Sequence, residues 1–325
     1  MFVVWLAVSS AASGIAFFYS IPVGLAALWF GRRAGLLVAL VCVALYGVGS
    51  AIHPVPDFAL AAAVRGVFLV AVALLADGVG RRLRSLEHDA EELEAIRAAL
   101  TPTELPDLAG IDAGVAFVPS ELGVSGDFYL LTNGPDGSAV AVVGDVVGHG
   151  PEAARLATFV RAQLAAFAAS TSDPSELLRL ANSALAERPG DQDELVSAIC
   201  VRLTPGEDTV CWARAGHPPP LQLPGLEELP ADGSTFLLGA DERLELENTE
   251  SSVGRGGLVV YTDGATDVRQ GRQMLGLEGL IGMLAPLTGL AARSIASEVE
   301  QAILAWADRP IRDDLCLVVL KPEAG

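Results

Sequence analysis

Four short segments of the chain place an aspartate where an apolar, β-prone run meets a turn. They are Ser125-Gly126-Asp127-Phe128-Tyr129, Val143-Gly144-Asp145-Val146-Val147-Gly148-His149-Gly150, Tyr261-Thr262-Asp263-Gly264 and Arg312-Asp313-Asp314-Leu315. Taken singly, each reads as a turn, because Asp bonds its own backbone and Gly accepts positive φ at no steric cost. Taken together they are a signal, since carboxylates at strand ends can converge at one end of a sheet. A cluster built only of carboxylates suits hard, oxygen-seeking ions such as magnesium or manganese, and not zinc. The pattern alone leaves open which reaction such a cluster serves.

The elements that must carry these aspartates follow from period and punctuation. Strands are expected over Asp112 to Val118, Phe128 to Thr132, Ala139 to Val143, Val196 to Leu203, Thr209 to Arg214, Leu258 to Tyr261 and Leu315 to Leu320. Asn133-Gly134-Pro135-Asp136-Gly137 joins the second and third of these as a hairpin. Helices are expected from Pro151 to about Ala169, from Asp173-Pro174 to about Glu187, and over Ser294 to Ala307, the prolines sitting in first turns where the missing amide costs nothing. From Asp107 to the C-terminus the chain therefore reads as one α+β domain. No Walker-type glycine loop and no repeat of 20 to 50 residues is present.

Composition divides the chain. It is 51% hydrophobic, high for a soluble protein, and the excess lies in the first 76 residues, whose only charged side chains are Arg32, Arg33, Asp57 and Arg65. The formal net charge is −19; those three Arg and one Asp give +2, which leaves −21 for the rest. So acidic a field, with Lys321 as the only lysine, disfavours nucleic-acid binding. Cys42, Cys200, Cys211 and Cys316 have no paired spacing and read as buried free thiols.

Within residues 1–76, Met1 to Phe30, Ala34 to Ile52 and Phe58 to Ala76 are apolar runs, read as about three transmembrane helices given the ~20 residues a span needs. Arg32-Arg33 and Arg81-Arg82-Leu83-Arg84 put the basic clusters, and everything after Ala76, on the cytoplasmic side, so the expectation is a multi-pass cell-membrane protein with a cytoplasmic catalytic domain. Arg65 lies inside the third run, where a charge marks either a function or a packed interface. Residues 77–106 read as a helical linker: Leu83, Leu86, Ala90, Leu93 and Leu100 form a stripe suited equally to a homodimer through this helix or to packing on the chain's own domain, and Thr101-Pro102 ends it. Residues 107–325 are expected to form the α+β domain that carries the four aspartate motifs.

At its four aspartate motifs, and at Ala215-Gly216-His217-Pro218-Pro219-Pro220, the chain resembles the SpoIIE-like branch of the PPM metal-dependent serine/threonine protein phosphatases, from about Leu100 to Leu320 and with the motifs in the same order. The resemblance implies a four-layer α-β-β-α sandwich behind the N-terminal all-α transmembrane segment, and two ions of Mn2+ or Mg2+ between the ends of its sheets. It implies that Asp145 bridges both ions, that the Val146 carbonyl helps hold one, that Asp263 and Asp313 hold the other, and that Asp127 supports the cluster, with Asp314 as the alternative to Asp313. Asp145, Asp263 and Asp313 would then be the catalytic set, water the nucleophile, and the substrate a phosphoserine or phosphothreonine protein, an anti-sigma factor antagonist in a partner-switching pathway. His149 and His217 are open as general acids or as loop-shaping residues. Two departures from the family pattern stand out: Leu130 where a second Asp is common after Gly-Asp-Phe-Tyr, and Asp267 for a common Glu. The rival readings are a catalytically weak membrane scaffold or receptor on the same fold, and a phosphohydrolase acting on a small molecule.

Overall fold

The computed structural model describes residues 19–52, 58–100, 104–120, 126–188, 194–231, 236–254 and 256–323, and the chain forms two compact units, Met1–Glu92 and Leu93–Gly325. Ser125 and most of the expected first span, residues 1–18, lie outside the described residues.

In the first unit, helices α1 (Ser20–Phe30) and α2 (Arg32–Ile52) and the N-terminal part of α3 (Phe58–Leu100) pack through Val23, Ala27, Ala39, Cys42, Leu69 and Ala73. Small residues set the approach: a Cβ on Gly35 would meet the Ala27 Cβ at 2.5 Å, and one on Gly80 the Leu28 carbonyl oxygen at 2.6 Å. Large apolar side chains such as Leu60, Val67 and Leu75 face outward, 68–72% exposed, which a water-facing helix avoids. The multi-pass expectation is corrected here. Among the described residues one helical stretch, Ala62–Ser85, is long and apolar enough to cross a bilayer; α1 has 11 residues, and the described side chains of α2 stop at Val48. Asp77 and Arg81, one turn apart in this stretch, form an ion pair. Arg65 lies over the Tyr46 ring, its guanidinium carbon 3.9 Å from the centroid, so the charge in the run faces protein. No break separates span from linker, since α3 is one 43-residue helix ending at Leu100, before Thr101-Pro102. Of the linker stripe, Leu83 is exposed and Leu100 is buried; the side chains of Leu86, Ala90 and Leu93 lie outside the described ones.

The second unit holds two five-stranded antiparallel sheets. One has the order β1 (Ile111–Val118), β12 (Leu315–Pro322), β9 (Leu258–Tyr261), β6 (Leu221–Gln222), β7 (Glu227–Glu228). The other runs β2 (Asp127–Asn133), β3 (Ala139–Val146), β4 (Val196–Leu203), β5 (Thr209–Ala215), β8 (Thr249–Ser252). The strands read as continuous apolar runs because both faces of each sheet are covered, and the period of two divides their side chains between two cores. On β3, Val140 and Val142 join Leu156, Val160, Leu164, Leu177 and Leu178 of helices α4 (Pro151–Phe167) and α5 (Pro174–Ala186), while Ala139, Ala141 and Val143 face the other sheet. On β12, Cys316, Val318 and Leu320 enter that same inter-sheet core beside Trp212, and Leu315, Leu317 and Val319 pack on α6 (Gly276–Leu284) and α7 (Ala292–Trp306). The result is an α-β-β-α sandwich. Helix α5 starts where expected, the Asp173 carboxylate accepting the Glu176 amide at 2.9 Å as its N-cap. Ile96 and Leu100 at the end of α3 are buried in the helix-side core with α4.

Candidate metal centre

The motif aspartates gather where strands of both sheets end. Asp127 opens β2 and is paired in register with Asp145 near the end of β3. Asp263 lies two residues past the end of β9, and Asp313 two residues before β12, the neighbour of β9 in the opposite sheet. Two glycines permit this closeness. A Cβ on Gly264 would fall 1.7 Å from the Asp314 carbonyl oxygen, and one on Gly126 would lie 3.2 Å from the Val146 carbonyl oxygen, which therefore stands beside the carboxylates.

The backbone around the cluster is pinned by buried polar groups. Asp314, 6% exposed, accepts the amides of Ser120 and Gly126, each at 2.7 Å. Both its oxygens are thereby engaged in tying the start of β2 to the start of β12, while Asp313 is exposed beside the cluster. Buried Thr262 donates its hydroxyl to Asp127 Oδ2 at 2.7 Å and accepts the Cys316 amide at 3.1 Å.

Electrostatics follow from this crowding. Burial, then the charge of Asp145, pushes the Asp127 carboxyl well up, the Thr262 hydroxyl opposing, and the two aspartates share a side-chain hydrogen bond. Asp145 is pushed up to about 7, first by burial and then by the charge of Asp263, with Asp313 and Asp314 adding to it. Asp263 is raised by partial enclosure and by Asp313 and Asp267, and Asp313 by partial enclosure, Asp314 and Asp267. No cationic side chain is among the groups acting on these four. The donor set is thus hard oxygen with uncompensated negative charge, and in chemistry it fits magnesium or manganese. Among the described residues no three such side chains lie close enough together to hold one ion as they stand. The carboxylates interact, and closing them on an ion requires side-chain adjustment, beginning with the Asp127–Asp145 hydrogen bond.

The histidines divide. His217, 1% exposed, meets the Ser197 hydroxyl at 2.9 Å through Nδ1, and burial pushes its pKa down to about 3. Its carbonyl accepts Arg214 at 3.0 Å, and Ala198 bridges to Gly216, so the Gly-His-Pro turn is clamped on β4 by a neutral imidazole. His149 is exposed between Gly148 and Gly150, both at positive φ. Leu130 is 5% exposed in the helix-side core, a place that would desolvate a carboxylate. All four cysteines are free and buried, as expected, and burial pushes the Cys200, Cys211 and Cys316 thiols up, away from nucleophilic thiolate. Sequence reasoning missed Thr262 and Ser197 as supports. Thr262 stood inside a quoted motif; Ser197 carried no signal.

The sequence profile of the stage II sporulation protein E (SpoIIE) family matches residues 135–323. Among solved structures, the RsbU and RsbW domains of a Mycobacterium tuberculosis protein share 22% identity with a TM-score of 0.57, over 66% of this chain and 60% of that one. The SiaA PP2C domain of Pseudomonas aeruginosa shares 19% identity with a TM-score of 0.59, over 74% and 98%. RsbX in complex with magnesium shares 14% identity with a TM-score of 0.50, over 67% and 98%. The chain thus spans less than two thirds of the length of the first of these, and at such identities the likeness concerns the fold.

Proposed function

Since the chain belongs to the SpoIIE family of metal-dependent serine/threonine phosphatases, we propose that it hydrolyses phosphoserine or phosphothreonine on a protein partner, an anti-sigma factor antagonist, from a membrane-anchored position. The observation that carries this reading is the convergence of Asp127, Asp145, Asp263 and Asp313 at the ends of two sheets with no cationic side chain acting on them. Asp145, the Val146 carbonyl, Asp263 and Asp313 would hold two ions of Mg2+ or Mn2+, a choice in line with the magnesium complex of RsbX. Asp127 supports Asp145, and Asp313 is taken over Asp314 because both oxygens of Asp314 serve the backbone. Bound there, the ions supply Lewis acidity and an activated water for attack on phosphorus. The chain itself supplies rigidity: Thr262 and Asp314 fix the two strand starts, and His217, neutral and buried, shapes the neighbouring turn instead of passing protons. We assign residues 1–76 to the membrane part, 77–106 to the linker and 107–325 to the phosphatase domain.

The test is phosphate release from a phosphoserine protein by the full chain in detergent, with manganese, with EDTA, and with Asp145→Ala. Manganese-dependent turnover that falls by at least about 10²-fold in the variant is expected, the size of loss seen when one preorganised electrostatic group is removed. The scaffold reading has one observation in its favour, the absence of three gathered ligands among the described residues. A folded chain that binds manganese and turns over nothing would select it.

A further inference from the structure

Next to the carboxylate cluster, a pocket of about 320 Å³ opens between the turn after Asp263, the hairpin β10–β11 (Arg269–Gln270 and Gln273–Met274) and the segment leading from α7 to β12. That volume is within the ~300–1,000 Å³ typical of ligand sites. Three arginines line it, Arg269, Arg309 and Arg312, in a domain whose charge is otherwise strongly negative. All three are exposed, and none is paired with a carboxylate among the described residues. Three acids, Asp267, Asp308 and Asp313, line the pocket as well, none of them in an ion pair with these arginines. Asp308 accepts the Gly271 amide at 2.8 Å, tying the hairpin to the end of α7, Asp313 accepts the Asp314 amide at 3.0 Å, and Asp267 acts on Asp263 and Asp313.

We propose that this pocket receives acidic residues flanking the phosphorylated side chain of the protein substrate, with Arg269, Arg309 and Arg312 as specificity-determining residues. The inference rests on the phosphatase reading and extends it to substrate choice. Asp313 belongs to both the pocket and the cluster, so a peptide whose phosphate is at the cluster carries its neighbouring residues, spaced about 3.3–3.6 Å along an extended chain, over the arginines. Guanidinium forks match carboxylates in a way that a lysine ammonium does not, and an unpaired guanidinium loses no existing partner when it binds one. The domain's overall field repels acidic chains at long range, so acceptance has to come from short-range contact in this pocket, which sharpens discrimination among acidic partners.

The experiment uses the full chain in detergent with manganese. Three peptides are compared: one phosphoserine peptide flanked by Asp and Glu, the same peptide flanked by Ala, and the acidic peptide without phosphate. The expected kcat/KM ratio of acidic over alanine peptide is about tenfold, the product of three modest exposed pairs. It should fall toward one in R269Q/R309Q/R312Q, and in the wild type on raising salt to about 0.5 M, where screening is nearly complete within a few Å. Fluorescence anisotropy should show the unphosphorylated acidic peptide binding the wild type and lost from the triple variant. If that variant does not fold, Arg269→Glu on the exposed hairpin should lower the ratio below that of Arg269→Gln. Equal turnover of both phosphopeptides, or a preference that survives the triple substitution, overturns the pocket and leaves the phosphatase reading standing. Arginine-dependent binding of the acidic peptide without hydrolysis of either phosphopeptide does the reverse.

Discussion

Thr262 shows how much of the centre depends on a side chain that carries no charge. Its hydroxyl is the donor that faces Asp127, a carboxyl 1% exposed, and it also accepts the Cys316 amide. Thr262→Val keeps the shape but takes one buried donor from Asp127 and the side-chain acceptor from the Cys316 amide, a cost of about 1–3 kcal/mol. A fall of several degrees in Tm is expected, with Thr262→Ser close to wild type; a valine variant as stable as wild type would show that the hydroxyl contributes nothing. At this scale the sequence was informative where residue type is decisive and silent where neighbours share a type. Asp127, Asp145, Asp263 and Asp313 stood out by spacing. Asp313 and Asp314 could not be separated, because only the register of β1 against β12 and the approach of Gly126 show which carboxylate is consumed by backbone amides.

Hairpins and helices were legible wherever turn chemistry punctuates them. The β2–β3 turn closes with the Gly134 amide on the Ser138 carbonyl at 2.8 Å, and Asp136 Oδ1 accepts the hydroxyls of Ser138 and Ser172, both at 2.6 Å. The Ser138 and Ser172 hydroxyls lower the Asp136 carboxyl from 3.8 to about 2. A folded-state pKa below the unfolded one means that this stabilisation is present above about pH 4 and is lost as pH falls toward 2. In thermal melts over that range, Asp136→Ala should lose less Tm on acidification than wild type, converging with it near pH 2; parallel curves would rule out the linkage. Helix α6 was not expected at all. Gly276, Gly279 and Gly282 argue against a helix by propensity, and burial of Leu280 and Leu284 against the β12 sheet overrides them. The two-residue strands β6, β7, β10 and β11 escaped for a simpler reason: two residues show no period.

For the molecule as a whole, hydropathy singled out the N-terminal region, where one described stretch, Ala62–Ser85, is long and apolar enough to cross a bilayer, and overcounted the spans that the described residues support. The expected apolar run ends before Asp77, and α3 continues through it into the helical linker, with Arg81 paired to Asp77 one turn later. The proposed membrane attachment rests on the outward apolar surface of α3. The full chain should remain in the membrane pellet after an alkaline carbonate wash, which strips proteins held by charge alone. Val67 and Leu75 are each 72% exposed within Ala62–Ser85, so neither supports the packing of the helices on one another. Replacing both by Lys adds roughly 2.5–3.5 kcal/mol per residue to insertion near a helix centre, enough to oppose a single span. The double variant should move to the wash supernatant with its helix content intact by circular dichroism. Release of the wild type by the same wash would mean that the apolar face of α3 is covered by protein and not by lipid, and would overturn the membrane-anchored reading.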